Sequence, residues 1–312
     1  MSKRRSEEVN IDINFNVSIR MSQLQLNNKK SRTSNDHVPV KVNINQQEFN
    51  VNINGDKNDK SAKEMLEKID LIQLAKKFIR VESKAQNDPN ALLRFYKKQF
   101  KWMEFASREV LPAEMQDTIE WGNAVKGRIT ENLVHSAAES TARRTNPLLV
   151  SKILGTCGVV TRSESIKNRT EIKEKVLHDI SDHWESHGHY WKKCGLYLTY
   201  DYPMFSATCD AISEKFVYKI YVCHTCDSDA TFKRLSSAKF TESETDEMQF
   251  IMHITNRKEM YIFIVPWNYS EKKTIKALTL KYDEQNAENV LEEALDFWNR
   301  EVFPMIIQAA KI

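Results

Sequence analysis

Asp210 closes the segment ATCD (207–210), and a strand-like run, FVYKIYVC (216–223), follows after one short turn. A carboxylate at a turn leading into a strand suits metal-assisted phosphodiester hydrolysis. That chemistry needs a hard cation held by carboxylates and a lysine beside the attacking water. The strand should then carry a second acid and the lysine, but at those positions it carries Lys219 and Tyr221. A second cluster follows at once. Cys223-His224-Thr225-Cys226 is a C-x2-C half-site, and His183, His187, His189 and Cys194 are the residues that could complete a zinc site. No second pair with knuckle spacing is present, so buried thiols compete with zinc as the reading of Cys223 and Cys226. A Cys–His nucleophile drawn from the same residues has no orienting acid or oxyanion hole in view. The chain has only 7 glycines and no glycine-rich phosphate loop, which leaves nucleotide hydrolysis unsupported.

These residues need elements to hold them. Residues 195–200, 215–224, 249–255 and 260–266 read as strands, and 115–139 and 164–186 read as helices. A closing helix pair is expected over 286–310. Asp88-Pro89 starts a helix whose apolar stripe is Leu92, Leu93, Phe95, Tyr96, Phe100, Met103 and Phe105, with Arg94, Lys97, Lys98 and Lys101 on the other face. Ser61 and Glu64 form a capping box for a helix to about Val81. Trp184, Trp191, Trp267 and Trp298 fall at packing positions, where large aromatics are buried.

The first sixty residues are different. Val9, Ile11, Ile13, Phe15, Val17, Ile19 and Met21 occupy every second position, as do Val38, Val40, Val42 and Ile44, and then Phe49, Val51 and Ile53. Period two with one polar face marks half-buried strands, and the loop 45–48 has hairpin length. Such a sheet must bury its apolar face on its own domain, on a second copy or on a partner, since strand edges recruit strands.

The 312 residues carry a net charge of +3, too mild by itself to announce nucleic acid. No run approaches the roughly eighteen apolar residues of a membrane span. MSKRRSEEVN lacks the apolar core of a secretory signal, and 5 cysteines suit a reducing compartment. With Lys3-Arg4-Arg5 as a short basic address, the expected setting is intracellular and nuclear.

Several segments in order resemble one family. Trp121 followed by KGRITENLVHSAAE (126–139), LLVSKILG (148–155), ESIKNRTEIKEKVL (164–177), KCGLYLTYDYPMFSATCDAI (193–212), MQFIMHIT (248–255) and LDFWNREVFP (295–304) resemble the lambda-exonuclease or YqaJ-type viral recombinases of the PD-(D/E)XK nuclease superfamily. The resemblance implies an α/β (α+β) fold whose central mixed sheet is flanked by helices, here preceded by an Asn-rich antiparallel β element. With the residue patterns above, the chain divides into a β arm with a polar linker (1–60), a helical segment (61–109) and, where the resemblance lies, a nuclease-like domain (110–308). It also implies Mg²⁺-dependent DNA cleavage.

Carried over residue by residue, the family's metal site is degenerate. The outer glutamate falls on Lys173, the aspartate on Asp210, and the Glu-x-Lys pair on Lys219 and Tyr221. The first of two glutamines falls on Glu247, and Gln249 remains. Lys173, Asp210, Lys219 and Tyr221 leave one net positive charge where the family is negative. At roughly 4 Å, each like-charge approach of a metal ion costs about 1 kcal/mol in water and about 4 kcal/mol at intermediate dielectric. The favoured local picture pairs Lys173 and Lys219 with Asp210. The alternative has both lysines hold a phosphate.

Arg128 matches a position the family associates with the DNA 5′-end phosphate, and Lys126, Arg143 and Arg144 add positive charge nearby. The expected function is a non-catalytic binding module for DNA or protein, with the arm available for self-association or a partner. Against it stands an active exonuclease with acids relocated to Glu171, Glu174 or Glu214, the one case that calls for Mg²⁺. A scaffold without nucleic-acid affinity is the third reading.

Overall fold

A computed structural model describes residues 10–13, 66–100, 107–116, 118–140, 146–156, 164–186, 190–223 and 228–312. In chain order the elements begin with β1 (Asn10–Ile13), α1 (Leu71–Val81), α2 (Pro89–Gln99), β2 (Ser107–Leu111), α3 (Ile119–Val125) and β3 (Ile129–Thr130). Then come α4 (Val134–Ala138), α5 (Pro147–Ile153), α6 (Glu164–Ser186), β4 (Lys192–Lys193), β5 (Leu196–Thr199) and β6 (Phe205–Ala207). Next are β7 (Ala211–Ile212), β8 (Phe216–Cys223), α7 (Ser228–Ser236), α8 (Glu242–Thr255) and β9 (Glu259–Pro266). The chain ends with α9 (Tyr269–Lys272), β10 (Thr274–Lys281), α10 (Glu284–Phe297), a π-helical turn (Trp298–Val302) and α11 (Phe303–Ala310). Among the described residues no helix is long and apolar enough to cross a membrane.

The fold is mixed α/β. One sheet runs β1-β10-β9-β8-β7-β4, and a smaller one runs β2-β5-β6-β3. β8 and β9 are parallel, while β9–β10, β7–β8 and β4–β7 are antiparallel. β9 shows why this pair lies at the centre. Its sequence MYIFIV is apolar on both faces: Met260, Ile262 and Ile264 enter one core cluster, and Tyr261, Phe263 and Val265 enter another. α6 covers the second face with Ile172, Val176, Leu177 and Ile180. The first face meets α8 through Met248, Ile251 and Met252. Alternation along β8 therefore sends Tyr218 and Ile220 toward α6, and Lys219 and Tyr221 toward α8.

Three expected elements differ. Residues 249–255 are helical, not a strand, because the helix starts upstream at a full capping box between Thr241 and Glu244. The apolar run Phe250–Met252 with Ile254 is buried on every side, and such a run fits either period. The helix expected over 115–139 is broken: Gly127 takes a left-handed φ of 82° and donates its N–H to Ile153 O at 2.8 Å, leaving two short helices around β3. The helix before Val81 restarts at Asp70, whose carboxylate caps Ile72 N and Gln73 N. β10 was not expected at all.

Asp88 caps α2 as expected, through Asn90 N. Of the β arm, the described residues are Asn10–Ile13, which pair parallel with β10 from Asn10 opposite Thr274. The remaining alternating runs and the Ser61–Glu64 box lie outside the described residues. So do Lys101, Met103, Phe105, Arg143, Arg144, His187, His189 and Cys226. Trp298 is fully buried and donates to Gly127 O at 2.8 Å, and Trp191 and Trp267 pack against the α6-side core.

Candidate functional site

The chain places Asp210 in the turn between β6 and β7, and backbone pairing fixes it there. Its N–H donates to Tyr218 O at 3.1 Å, and its Oδ2 accepts the Ile220 N–H at 2.6 Å. The other oxygen, Oδ1, accepts the Lys173 ammonium from α6 at 2.7 Å. Both Asp210 oxygens are thus committed. The side chains are only 28% and 15% exposed, so the pair is shielded from water.

Lys219 does not share Asp210, as the sequence had suggested. Its strand position turns it to the α8 face, where its ammonium donates to Glu247 Oε1. Burial works to lower the Lys219 pKa, yet Glu247, Tyr221 and Asp210 outweigh it and hold the ammonium above its ordinary range. The Lys219 ammonium also lies 5.7 Å from the Tyr221 ring centre. Tyr221 itself is pushed up by burial, and its hydroxyl is buried without a hydrogen-bond partner.

Lys173, Asp210 and Lys219 line a cleft of about 410 Å³, with Glu131, Thr208 and Cys209 beside them. Glu131 escaped the sequence reading. It sits just beyond β3, almost fully buried, and accepts Asn132 Nδ2 at 3.1 Å and Thr208 N at 3.3 Å. Burial pushes its carboxyl up to about 7, against the pull of Lys219 and with help from Glu247. Asp210 balances Lys173 and Glu247 balances Lys219, with Glu131 as a third acid beside them. The four residues summed from the sequence leave out Glu247, which the fold brings to Lys219. Glu247 cancels the excess charge before Glu131 is counted. The available signal was Glu131 itself, an acid inside the matched GRITEN segment.

Other predicted residues fall elsewhere. Arg128 is fully buried and serves three backbone carbonyls: Pro203 O at 2.9 Å, Ile69 O at 2.7 Å, and Ala124 O. Its guanidinium is internal glue, with no surface left for a phosphate. Lys126 caps the end of α3 and is half-buried. Gln249 turns away from the cleft, donating to Lys281 O at 3.1 Å and accepting Asp283 N at 2.8 Å. Of the acids considered as relocated ligands, Glu174 lines the cleft but pairs with Lys193 at 2.7 Å, whereas Glu171 and Glu214 are exposed elsewhere. Cys223 is a buried free thiol at the end of β8. Among the described residues no three His, Cys, Asp or Glu side chains converge as a metal site. A second depression, of about 380 Å³ between Gln86 and α11, is lined mainly by Phe303, Pro304 and Ile307 and offers no acid–base pair.

Three solved structures are similar in fold. An alkaline exonuclease from Laribacter hongkongensis (LHK-Exo) is 20% identical, with a TM-score of 0.46, covering 62% of this chain and 99% of that one. The structure of LHK-Exo in complex with dAMP is 18% identical, with a TM-score of 0.48 and the same coverage. A phage-related exonuclease from Haemophilus somnus 129PT is 13% identical, with a TM-score of 0.43, covering 57% of this chain and 96% of that one. No protein-family model matches the chain, and no curated protein does.

Proposed function

We propose that this chain is a nuclease-fold protein that holds DNA without cleaving it. One observation carries the reading: the Lys173 ammonium lies 2.7 Å from Asp210 Oδ1, in the space a metal ion would need. The other Asp210 oxygen is taken by Ile220 N, and Lys219 brings a second ammonium to the same cleft. The residues present do not fit Mg²⁺, so no hydrolytic step is derived through it. The setting that accompanies this reading is DNA repair, recombination or chromosome biology in the nucleus. It rests on the sequence resemblance, by analogy.

The ion pairs favour a second reading, a scaffold without nucleic-acid affinity, because Lys173, Lys193 and Lys219 each already have a carboxylate partner. The experiment that tests both follows end-labelled duplex and single-stranded DNA with the full-length chain and Mg²⁺ or Mn²⁺ at two salt concentrations. Retention that weakens with salt, with the label intact, is expected. Shortening that disappears in Asp210→Ala would restore the active enzyme. An absence of both retention and shortening would leave the scaffold.

A further inference from the structure

The mouth of the cleft carries side chains that the shielded pairs inside it leave over. Tyr190 is 74% exposed, whereas the other large apolar side chains exposed among the described residues are not aromatic. Its neighbour Trp191 packs against the α6-side core and anchors the segment. Just beyond, β4 ends the larger sheet and is held in place. Lys192 and Lys193 pair with Ile212 and Ala211 of β7. Glu109 accepts the Gly195 N–H at 2.7 Å and the Lys192 ammonium. Tyr190 is thus presented from a fixed edge strand, roughly 10 Å by strand rise from Lys193, which lines the cleft. Two cations at this mouth are open to a ligand. Lys193 pairs with Glu174 at 2.7 Å, but both side chains are 51% exposed. A pair so open to water contributes little, so a phosphate can take the ammonium. On α6, Arg169 is exposed and has no carboxylate partner among the described residues. It lies one helical turn before Lys173 and next to Thr170, both of which line the cleft.

We propose that Tyr190, Lys193 and Arg169 form a track for single-stranded DNA across the cleft mouth. An unpaired base stacks on the Tyr190 ring, and neighbouring phosphates take the two cations. The inference rests on the DNA-holding reading and names the form of DNA that is held. A ring on the surface gains most from a base whose face is free, and in a duplex the neighbouring pairs cover those faces. Size points the same way. Pockets of about 300–1,000 Å³ hold one small ligand, so a cleft of about 410 Å³ admits a nucleotide and not a double helix. Charge sets the balance between the two contacts. Two cations neutralise only two phosphates, and the whole chain carries a net charge of just +3, so stacking supplies most of the preference and the salt dependence is shallow.

The test follows the fluorescence anisotropy of labelled oligothymidylate, and of a labelled duplex of equal length, with the full-length chain in EDTA at several salt concentrations. The single strand should bind more tightly than the duplex. Its log K should fall against log salt with a slope of about −1.4, the value for two phosphates on a single strand. Tyr190→Ala should weaken single-strand binding about 5- to 100-fold at an unchanged slope, and Tyr190→Phe should keep it. Lys193→Ala should make the slope shallower by about 0.7. Tyr190 stands mostly in solvent, so its variants should melt with the wild type. The wild-type preference for single strands needs no variant to fold. DNA held by the wild type with the same single-strand affinity in Tyr190→Ala, or with an equal loss for the duplex, overturns the track and leaves the DNA-holding reading in place. A wild-type chain that holds neither form overturns that reading and the track with it.

Discussion

A shielded ammonium must be neutralised, and Lys173 and Lys219 are neutralised from different directions. Lys173 meets the β6–β7 turn at Asp210, and Lys219 meets α8 at Glu247. Removing one partner of such a pair costs more than removing both, because it strands a shielded charge. Asp210→Ala should therefore destabilise the chain by about 2–3 kcal/mol, a figure reduced from the fully buried case because Lys173 is 28% exposed. In a Lys173→Met background the same change should cost roughly 1 kcal/mol less, read from urea midpoints in a double-mutant cycle. Equal costs in both backgrounds would mean that the pair is not coupled.

Glu131 makes a pH prediction of known sign. Its folded pKa of about 7 lies above its ordinary value of 4.5, so the folded chain keeps a proton that the unfolded chain releases. The contribution is fully present below about pH 4.5 and is lost as pH rises toward 7, by up to about 1.4 kcal/mol per unit. Glu131→Gln cannot ionise and should lack this loss. The variant should gain on the wild type between pH 4.5 and 7.5 in urea unfolding.

At the scale of elements, Arg128 and Gly195 matter more than any cleft residue. Arg128 joins the end of α3, the turn before β6 and the turn before α1 through three carbonyls. A lysine has one ammonium and no fork, so Arg128→Lys should cost about 3 kcal/mol in denaturant unfolding. A loss below about 1 kcal/mol would show that the carbonyls find other donors. At Gly195 a Cβ would lie 2.0 Å from Leu111 O, which is backbone and cannot swing away. Gly195→Ala should therefore push β2 from β5 and lower stability by about 3 kcal/mol. An unchanged urea midpoint would show that the strands yield freely.

The same elements show what the sequence made legible. α2 was readable because Asp88-Pro89 is a local cap, β9 because a continuous apolar run of that length is a central strand, and β8 because its β-branched and aromatic residues flank Lys219 in a run of strand length. The helical state of 249–255 depended on a cap eight residues upstream of that window, and the role of Arg128 depended on carbonyls 59 and 75 positions away. Glu131 was adjacent to a recognised motif. Its importance came from its burial beside Lys219, which no spacing in the chain encodes.

For the whole molecule, charge decides between metal and no metal. A fold that holds Mg²⁺ in its native state and not in its unfolded state is stabilised by RT ln(1 + [L]/Kd), about 2.7 kcal/mol at a hundredfold excess over Kd. In a chain of this size that is a rise of several degrees in Tm. Here each carboxylate facing the cleft is already engaged: Asp210 with Lys173 and Ile220 N, Glu131 with Asn132 and Thr208 N, and Glu174 with Lys193. To enter, Mg²⁺ would have to displace an ammonium that is tethered to the chain and so present at high effective concentration. The melting temperature should therefore be the same in EDTA and in 10 mM Mg²⁺, and also in Mn²⁺. A metal-dependent rise that vanishes in Asp210→Ala would mean that the lysines yield, and that the cleft remains a metal site with its own internal competitor.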